Sequence, residues 1–128
     1  MTETVHDIYP ILRYADARAA IEWLTKAFGL TVKMVSDRPD GTVGHAELSC
    51  GRGVLMVGQR EPGAAPPAGG PNDWVVYVAV DDVDAHHDSA VAAGAEIARG
   101  LTDQPYGSRE YDARDCEGNL WSFGTYRP

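Results

Sequence analysis

The sequence predicts an α+β protein made of two tandem βαβββ modules. Two segments with helical spacing are each flanked by alternating stretches, and glycine-rich turns punctuate both halves at matching places. A fixed offset of 66 residues maps one half onto the other. With 128 residues the chain has the size of one domain, long enough to bury a core without disulfide or metal staples.

The first alternating stretch, Val5–Tyr14, ends at Ala15-Asp16, and Asp16 is a good helix N-cap. Ala20, Ile21, Leu24, Ala27 and Phe28 then fall at helical spacing, which places a helix over about 17–28 with Gly29 as its stop. Strands follow at Leu30–Asp37, Val43–Cys50 and Val54–Gln59, separated by turns at Pro39-Asp40-Gly41 and Cys50–Gly53. Residues 60–73 hold four prolines and three glycines without apolar period and read as a linker. The pattern then restarts. Trp74–Val80 is a strand, Asp82 an N-cap, and Val83–Ala93 an alanine-rich helix ending at Gly94. Glu96–Arg99, Ser108–Arg114 and Leu120–Tyr126 complete the set, with a turn at 115–118. The expected organisation is a single domain, 1–128, with module one at 5–59, the linker at 60–73 and module two at 74–128.

The offset carries Asp16 to Asp82, Cys50 to Cys116 and Gly58 to Gly124, and lays Tyr9–Leu12 onto Val75–Val78. The helix-ending glycines miss by one, since Gly29 maps beside Gly94. This pattern is an internal duplication.

Nineteen acidic against eleven basic residues give a net charge of −8. That argues against nucleic acid and against anionic membranes, both of which need a basic face. Neutral or cationic small molecules remain as partners. Two cysteines are too few for a disulfide framework or a thiolate zinc site. The opening MTETVHDIYP has neither the basic nor the apolar region of a signal peptide. The longest apolar run, Trp74–Val80, has seven residues, far short of a membrane span. A cytoplasmic protein is expected.

Three motifs are specific: YPILRYADARAAIEWLTKAFGL at 9–30, GHAEL at 44–48, and YGSREYDARDCEGNLWSFGTY at 106–126. The last is a DPxGN-type turn feeding a Trp-x-Phe strand, with Cys116 where proline is usual. In these motifs, and in its paired βαβββ modules, the chain resembles the vicinal oxygen chelate superfamily of glyoxalases, bleomycin-resistance proteins and extradiol dioxygenases. The resemblance implies that eight strands curl into a mixed sheet around a cleft. It also implies a divalent metal held by the first and last strands of each module, at positions that fall on Tyr9, Met56, Val75 and Ser122. None of these is a competent ligand for a catalytic metal, so no metal and no other cofactor is expected.

If those four positions face inward, so do Ile11, Arg13, Tyr77, Ala79, Leu120 and Gly124. Leu12, Val76, Val78, Val80, Trp121 and Phe123 then pack beneath the helices. Tyr9 and Tyr77 are candidate ligand contacts, with Met56 and Ser122 beside them. His45 and Glu47 alternate on one strand and share a face; His45 is either a polar cleft group or a satisfied structural histidine. Arg109 and Tyr111, with Glu110 and Asp112, occupy the strand beside the opening. Arg109 pairs either with an anionic group or in a rim salt bridge. Trp74 either closes over a ligand or packs on a helix. His86-His87 reads as a solvated helix face, because adjacent helical residues point about 100° apart.

No nucleophile–base arrangement is visible, and no catalytic residue is assigned. Ser122 has no nucleophile-elbow context, and Cys50 and Cys116 read as bland thiols. There is no G-x-G-x-x-G or P-loop fingerprint. The bleomycin-resistance group, which this chain resembles in length, acidity and missing ligands, implies a homodimer that sequesters an aromatic or cationic, antibiotic-like compound. The alternatives are a superfamily enzyme (isomerase, lyase or dioxygenase-like) using Glu47, His45 and Tyr77, and an interaction module without small ligand.

Overall fold

A computed structural model describes residues 7–61, 63 and 74–128. The elements run β1 (Ile11–Tyr14), α1 (Ala17–Ala27), β2 (Thr31–Asp37), β3 (Val43–Cys50), β4 (Gly53–Gln59), β5 (Val76–Ala79), α2 (Val83–Ala92), β6 (Glu96–Asp103), β7 (Arg109–Arg114) and β8 (Leu120–Gly124). Val5, where the alternation begins, and the linker apart from Arg60, Glu61 and Gly63 lie outside the described residues.

Both helices begin as their sequences dictate. The Asp16 carboxylate accepts from the amide of Ala19 at 3.1 Å, and the Asp82 carboxylate from that of Ala85 at 3.0 Å. Gly29 and Gly94 follow the helix ends at φ 75° and 91°, a left-handed conformation that side-chain-bearing residues resist. Ala17, Ala20, Ile21, Leu24 and Ala27 form the buried stripe of α1. Helix α2 buries only Val83 and Ala90.

The eight strands form two sheets of four, ordered β1-β4-β3-β2 and β5-β8-β7-β6, each with a parallel first pair and antiparallel remainder. The tandem modules are as expected. The curled mixed sheet is divided, because among the described residues no ladder joins β1 to β5. A pocket of about 320 Å³ runs along this seam, between Ile8 and Pro10, the β3–β4 turn, and Val76–Ala79.

Strand register refines the duplication. Ile11 opposite Met56 becomes Tyr77 opposite Ser122, at an offset of 66. Met34 opposite Glu47 becomes Arg99 opposite Asp112, at 65. The difference has two physical sources. Helix α1 has 11 residues and α2 has 10, which shortens the offset and explains the misaligned glycines. The β7–β8 connection then restores it with one extra residue. Cys50, the last residue of β3, therefore corresponds to Asp115, and Cys116 belongs to the longer turn. The Cys50–Cys116 match in sequence is a coincidence of count. Strand β6 also runs past Arg99 to Asp103, because irregularities at Ile97/Arg99 and Arg99/Thr102 break its alternation.

One core joins the modules. Phe28, at the end of α1, packs on Trp121 and Phe123 of β8, with ring centroids 5.3 and 4.8 Å away. Asp115, 6% exposed, accepts from the Tyr14 hydroxyl at 2.6 Å and the Trp121 indole at 3.0 Å. It also accepts from the amides of Glu117 and Asn119. The Glu117 carboxylate accepts from the amides of Ala15 and Asp16 at 2.7 and 2.9 Å, ahead of α1. Among the described residues no buried side-chain nitrogen or oxygen lacks a partner.

Candidate ligand-binding site

Helices cover one face of each sheet and leave the other open, so period-two alternation decides which side chains are available. In module one the open face carries Ile11 and Met56 side by side, exposed Arg13, and the pair His45–Glu47, whose Nε2 and Oε2 are 3.0 Å apart. In module two the equivalent places hold Tyr77, Ser122, Ala79, Glu110 and Asp112. Duplication has kept the geometry and changed the chemistry.

The second open face is the more polar and aromatic. Arg99 from β6 forks onto Asp112, with Nε and Nη2 each 3.0 Å from a carboxylate oxygen, and its Nη2 lies 3.5 Å from Glu110. The bond to Asp112 raises the arginine's affinity for its proton. The Tyr106 hydroxyl shares its one hydrogen between the two oxygens of Glu110, at 3.1 and 3.0 Å. The Tyr77 hydroxyl donates to the carbonyl of Tyr126 at 2.8 Å. Desolvation, then the neighbouring Glu110, raises the Tyr106 phenol above its ordinary range. Tyr77, Tyr106, Glu110, Tyr126 and Pro128 line an open pocket of about 490 Å³, within the range of small-molecule sites.

Gly124 makes this arrangement possible. It pairs with Glu110 across the ladder, and a Cβ there would lie 2.6 Å from Glu110 Cγ and 2.7 Å from Tyr77 Oη. The missing side chain is the space into which both groups fold.

Several expected site residues are placed elsewhere. Tyr111 is 0% exposed; it pairs with Phe123 and stacks on it, so it belongs to the core, where burial pushes its phenol well up. Arg109 shares that parity and reaches the helix side, donating to Asp84 of α2 at 2.7 Å and to Asp103 at 3.2 Å. Tyr9 and Val75 lie two residues ahead of the positions level with Met56 and Ser122, which are Ile11 and Tyr77. Trp74 is 83% exposed and lines neither pocket. His86 is not on a solvated face. Its Nε2 donates to the carbonyl of Phe28 at 2.9 Å, leaving Nδ1 to accept from the Tyr111 hydroxyl at 2.6 Å. Burial lowers its pKa. His87 lies beside it, edge-on to Tyr111 and bonded to Asp88.

Thus Tyr77 lines the pocket with Ser122 beside it. His45, Glu47, Met56 and Arg13 lie on the open face of the other sheet. Tyr106 and Pro128 were missed because they lie outside the strands, where alternation is silent; Tyr126 shares the parity of Ser122 within the expected strand Leu120–Tyr126, although β8 itself ends at Gly124. The signal for Glu110 was available: if Phe123 is core and Tyr111 faces it, Glu110 must point the other way.

The donor set does not fit the divalent metal that the resemblance implies. Such a site needs about three His, Asp, Glu or Cys donors. Ile11, Met56, Tyr77 and Ser122 occupy the relevant levels, and His45 and Glu47 are bonded to each other. Among the described residues, no group of three or more such donors is placed to hold a metal ion. Both cysteines are free. Burial raises the Cys50 thiol, and desolvation with Asp115 and Glu117 pushes Cys116 up to about 11, so neither is an activated nucleophile at neutral pH. No helix among the described residues is long and apolar enough to cross a membrane.

Comparison with known proteins agrees with this architecture. Mb0911c of Mycobacterium bovis is 31% identical over 121 residues, covering 90% of this chain and 80% of that protein. The crystal structure of TioX from Micromonospora sp. ML1 is similar at a TM-score of 0.77 and 38% identity, over 96% of this chain and 98% of that one. Lactoylglutathione lyase from Agrobacterium tumefaciens, at 21% identity, shares the fold with a TM-score of 0.65 over 96% of this chain and 95% of its own. The profile described as Glyoxalase/Bleomycin resistance protein/Dioxygenase superfamily matches residues 6–123. The protein belongs to the glyoxalase/bleomycin resistance protein/dioxygenase superfamily.

Proposed function

We propose that this protein is a metal-independent binding protein that sequesters a small aromatic, cationic compound of the antibiotic type, working as a cytoplasmic homodimer. The observation that carries the reading is the pocket on the second sheet, where three tyrosines surround a buried carboxylate. Aromatic walls supply stacking area at low entropic cost, and few polar groups are left to orient a ligand. The net charge of −8 favours cations in the same sense. Sequestration is stoichiometric and needs no chemical step.

Isothermal titration of purified protein with a panel of aromatic compounds, cationic, neutral and anionic, tests the reading. One-to-one binding per subunit, weakened by Tyr77→Ala, is expected. Flat titrations across the panel at micromolar protein overturn it. Sedimentation in the same buffer reports whether the binding species is a dimer.

One observation favours a second reading, an enzyme using side-chain acid–base chemistry. His45 Nε2 and Glu47 Oε2 lie 3.0 Å apart on the open face of module one, the spacing of a base and the group that orients it. Turnover of a small organic substrate, abolished by His45→Ala, would establish it.

A further inference from the structure

The pocket on the second sheet has a chemistry more specific than aromatic. Its walls are tyrosine rings, whose faces carry negative π-density; Tyr106 and Tyr126 stand nearly perpendicular, at 77°, with centroids 5.8 Å apart. Tyr77 is fixed against this pair by its bond to the Tyr126 carbonyl. At the base is Glu110, whose side chain is 8% exposed. Among the described residues the cation bonded to it is Arg99, at 3.5 Å, whose other two contacts belong to Asp112. Two carboxylates thus face one guanidinium, and the site retains one uncompensated negative charge. Arg127, which also bears on Tyr77, is paired with Asp81 at 2.9 Å.

Hydrogen-bonding capacity narrows the occupant. Glu110 is engaged from one side, by the one hydroxyl hydrogen of Tyr106, shared between its two oxygens, and by Arg99 at 3.5 Å. A primary ammonium brings three N–H donors that need three converging acceptors, whereas the lining is mostly ring surface around one carboxylate. A carboxylate or phosphate meets the field of Glu110 and Asp112. An alkylated ammonium satisfies every condition: it is cationic, carries little or no demand for hydrogen bonds, and lies favourably against ring faces.

We infer that this pocket is an aromatic cage for the tertiary or quaternary ammonium group of the ligand. The inference rests on the binding role proposed above and names the part of the ligand that enters the second sheet. Tyr77, Tyr106 and Tyr126 form its walls, Glu110 supplies its charge, and Gly124 leaves the space into which Glu110 and Tyr77 fold.

The experiment compares benzyltrimethylammonium with its uncharged isostere neopentylbenzene, following the tyrosine ring signals of the full chain by NMR at low salt. The cation should perturb Tyr77, Tyr106 and Tyr126 and bind about tenfold tighter than the isostere, the scale of a partly desolvated cation–π contact. Glu110→Gln should reduce that preference to about threefold or less. Tyr106→Leu should do the same, and because Tyr106 is 60% exposed its loss leaves the core intact. Equal binding of both compounds overturns the ammonium cage and leaves the aromatic-binding role standing. A cation that binds without moving the three tyrosines, while other aromatic compounds bind, also overturns the cage alone. If nothing in the wider panel binds, the binding role falls with it.

Discussion

The hydroxyl of Tyr14 donates a 2.6 Å hydrogen bond to Oδ2 of Asp115, joining residues 101 positions apart across the two modules. Both are buried, and Asp115 simultaneously accepts from the Trp121 indole. The turn between β7 and β8 is thereby fastened to the end of β1, while neighbouring Glu117 holds the start of α1. Among the described residues the two sheets share no strand pairing, so this buried contact carries part of the burden a continuous sheet would otherwise bear.

Tyr14→Phe keeps the ring and removes the bond, and should cost about 1.5–3 kcal/mol, the range for a hydrogen bond to a charged group. Asp115→Ala should cost at least as much again, because it leaves the Tyr14 hydroxyl and the Trp121 indole buried without an acceptor. Urea denaturation checks both through the shift in midpoint at unchanged slope. Equal costs for the two variants would mean that Asp115 is no hub.

His86 makes stability depend on pH. Burial lowers its pKa below the ordinary value of 6.5, and among the described residues its ring nitrogens meet no carboxylate but the Phe28 carbonyl and the Tyr111 hydroxyl. The unfolded chain therefore takes up this proton at higher pH than the folded one. Stability present above about pH 6.5 is lost as pH falls toward the depressed folded value. His86→Leu should be less stable at pH 7, by about 1–3 kcal/mol, since two polar partners are left unpaired. It should also show a flatter stability profile between about pH 7 and 5.5. Denaturation midpoints of both proteins across that window test it; parallel profiles would exclude His86 as a source of the slope.

The sequence made the scaffold legible because its signals are local. Asp16 and Asp82 cap helices within three residues, and Gly29 and Gly94 stop them within one turn. Alternation likewise sorted Trp121 and Phe123 into the core and Tyr77 and Ser122 onto the open face. The site was harder because it depends on register between strands. Tyr111 and Glu110 are adjacent, and only the pairing Tyr111–Phe123 decides which of them faces the ligand side. That pairing turns on the length of the β7–β8 connection, which a uniform offset misjudges by one. His86 reads as exposed for a different reason: its partners, Phe28 and Tyr111, come from other elements, and spacing along α2 carries no trace of them.

Gly124→Ala tests whether the pocket is built around an absent side chain. The new Cβ would stand within 2.7 Å of both Glu110 Cγ and Tyr77 Oη, so those side chains must swing away. Overpacking of this kind costs about 1–3 kcal/mol in stability. Affinity for aromatic cations should fall about tenfold, as the charge and one wall leave their positions together. Calorimetric titration of the variant checks this; unchanged affinity would mean that ligand binds away from Glu110 and Tyr77.

Arg99→Met tests the charge balance from the opposite direction. Met34 occupies the equivalent place in module one, opposite Glu47 as Arg99 is opposite Asp112, so the backbone already tolerates methionine in this register. Removing the guanidinium leaves Glu110 and Asp112 facing each other's charge on one open face. Because Arg99 is itself 36% exposed, solvent screens the pair, and the stability cost should be only about 1 kcal/mol. The local charge becomes more negative by one, so affinity for benzyltrimethylammonium should rise about tenfold at low salt. That gain should shrink toward wild-type as salt shortens the reach of the field. Titrations at two ionic strengths read both effects. A cation affinity that falls on losing Arg99 would show that the guanidinium acts chiefly to hold the carboxylates in place, rather than to offset their charge.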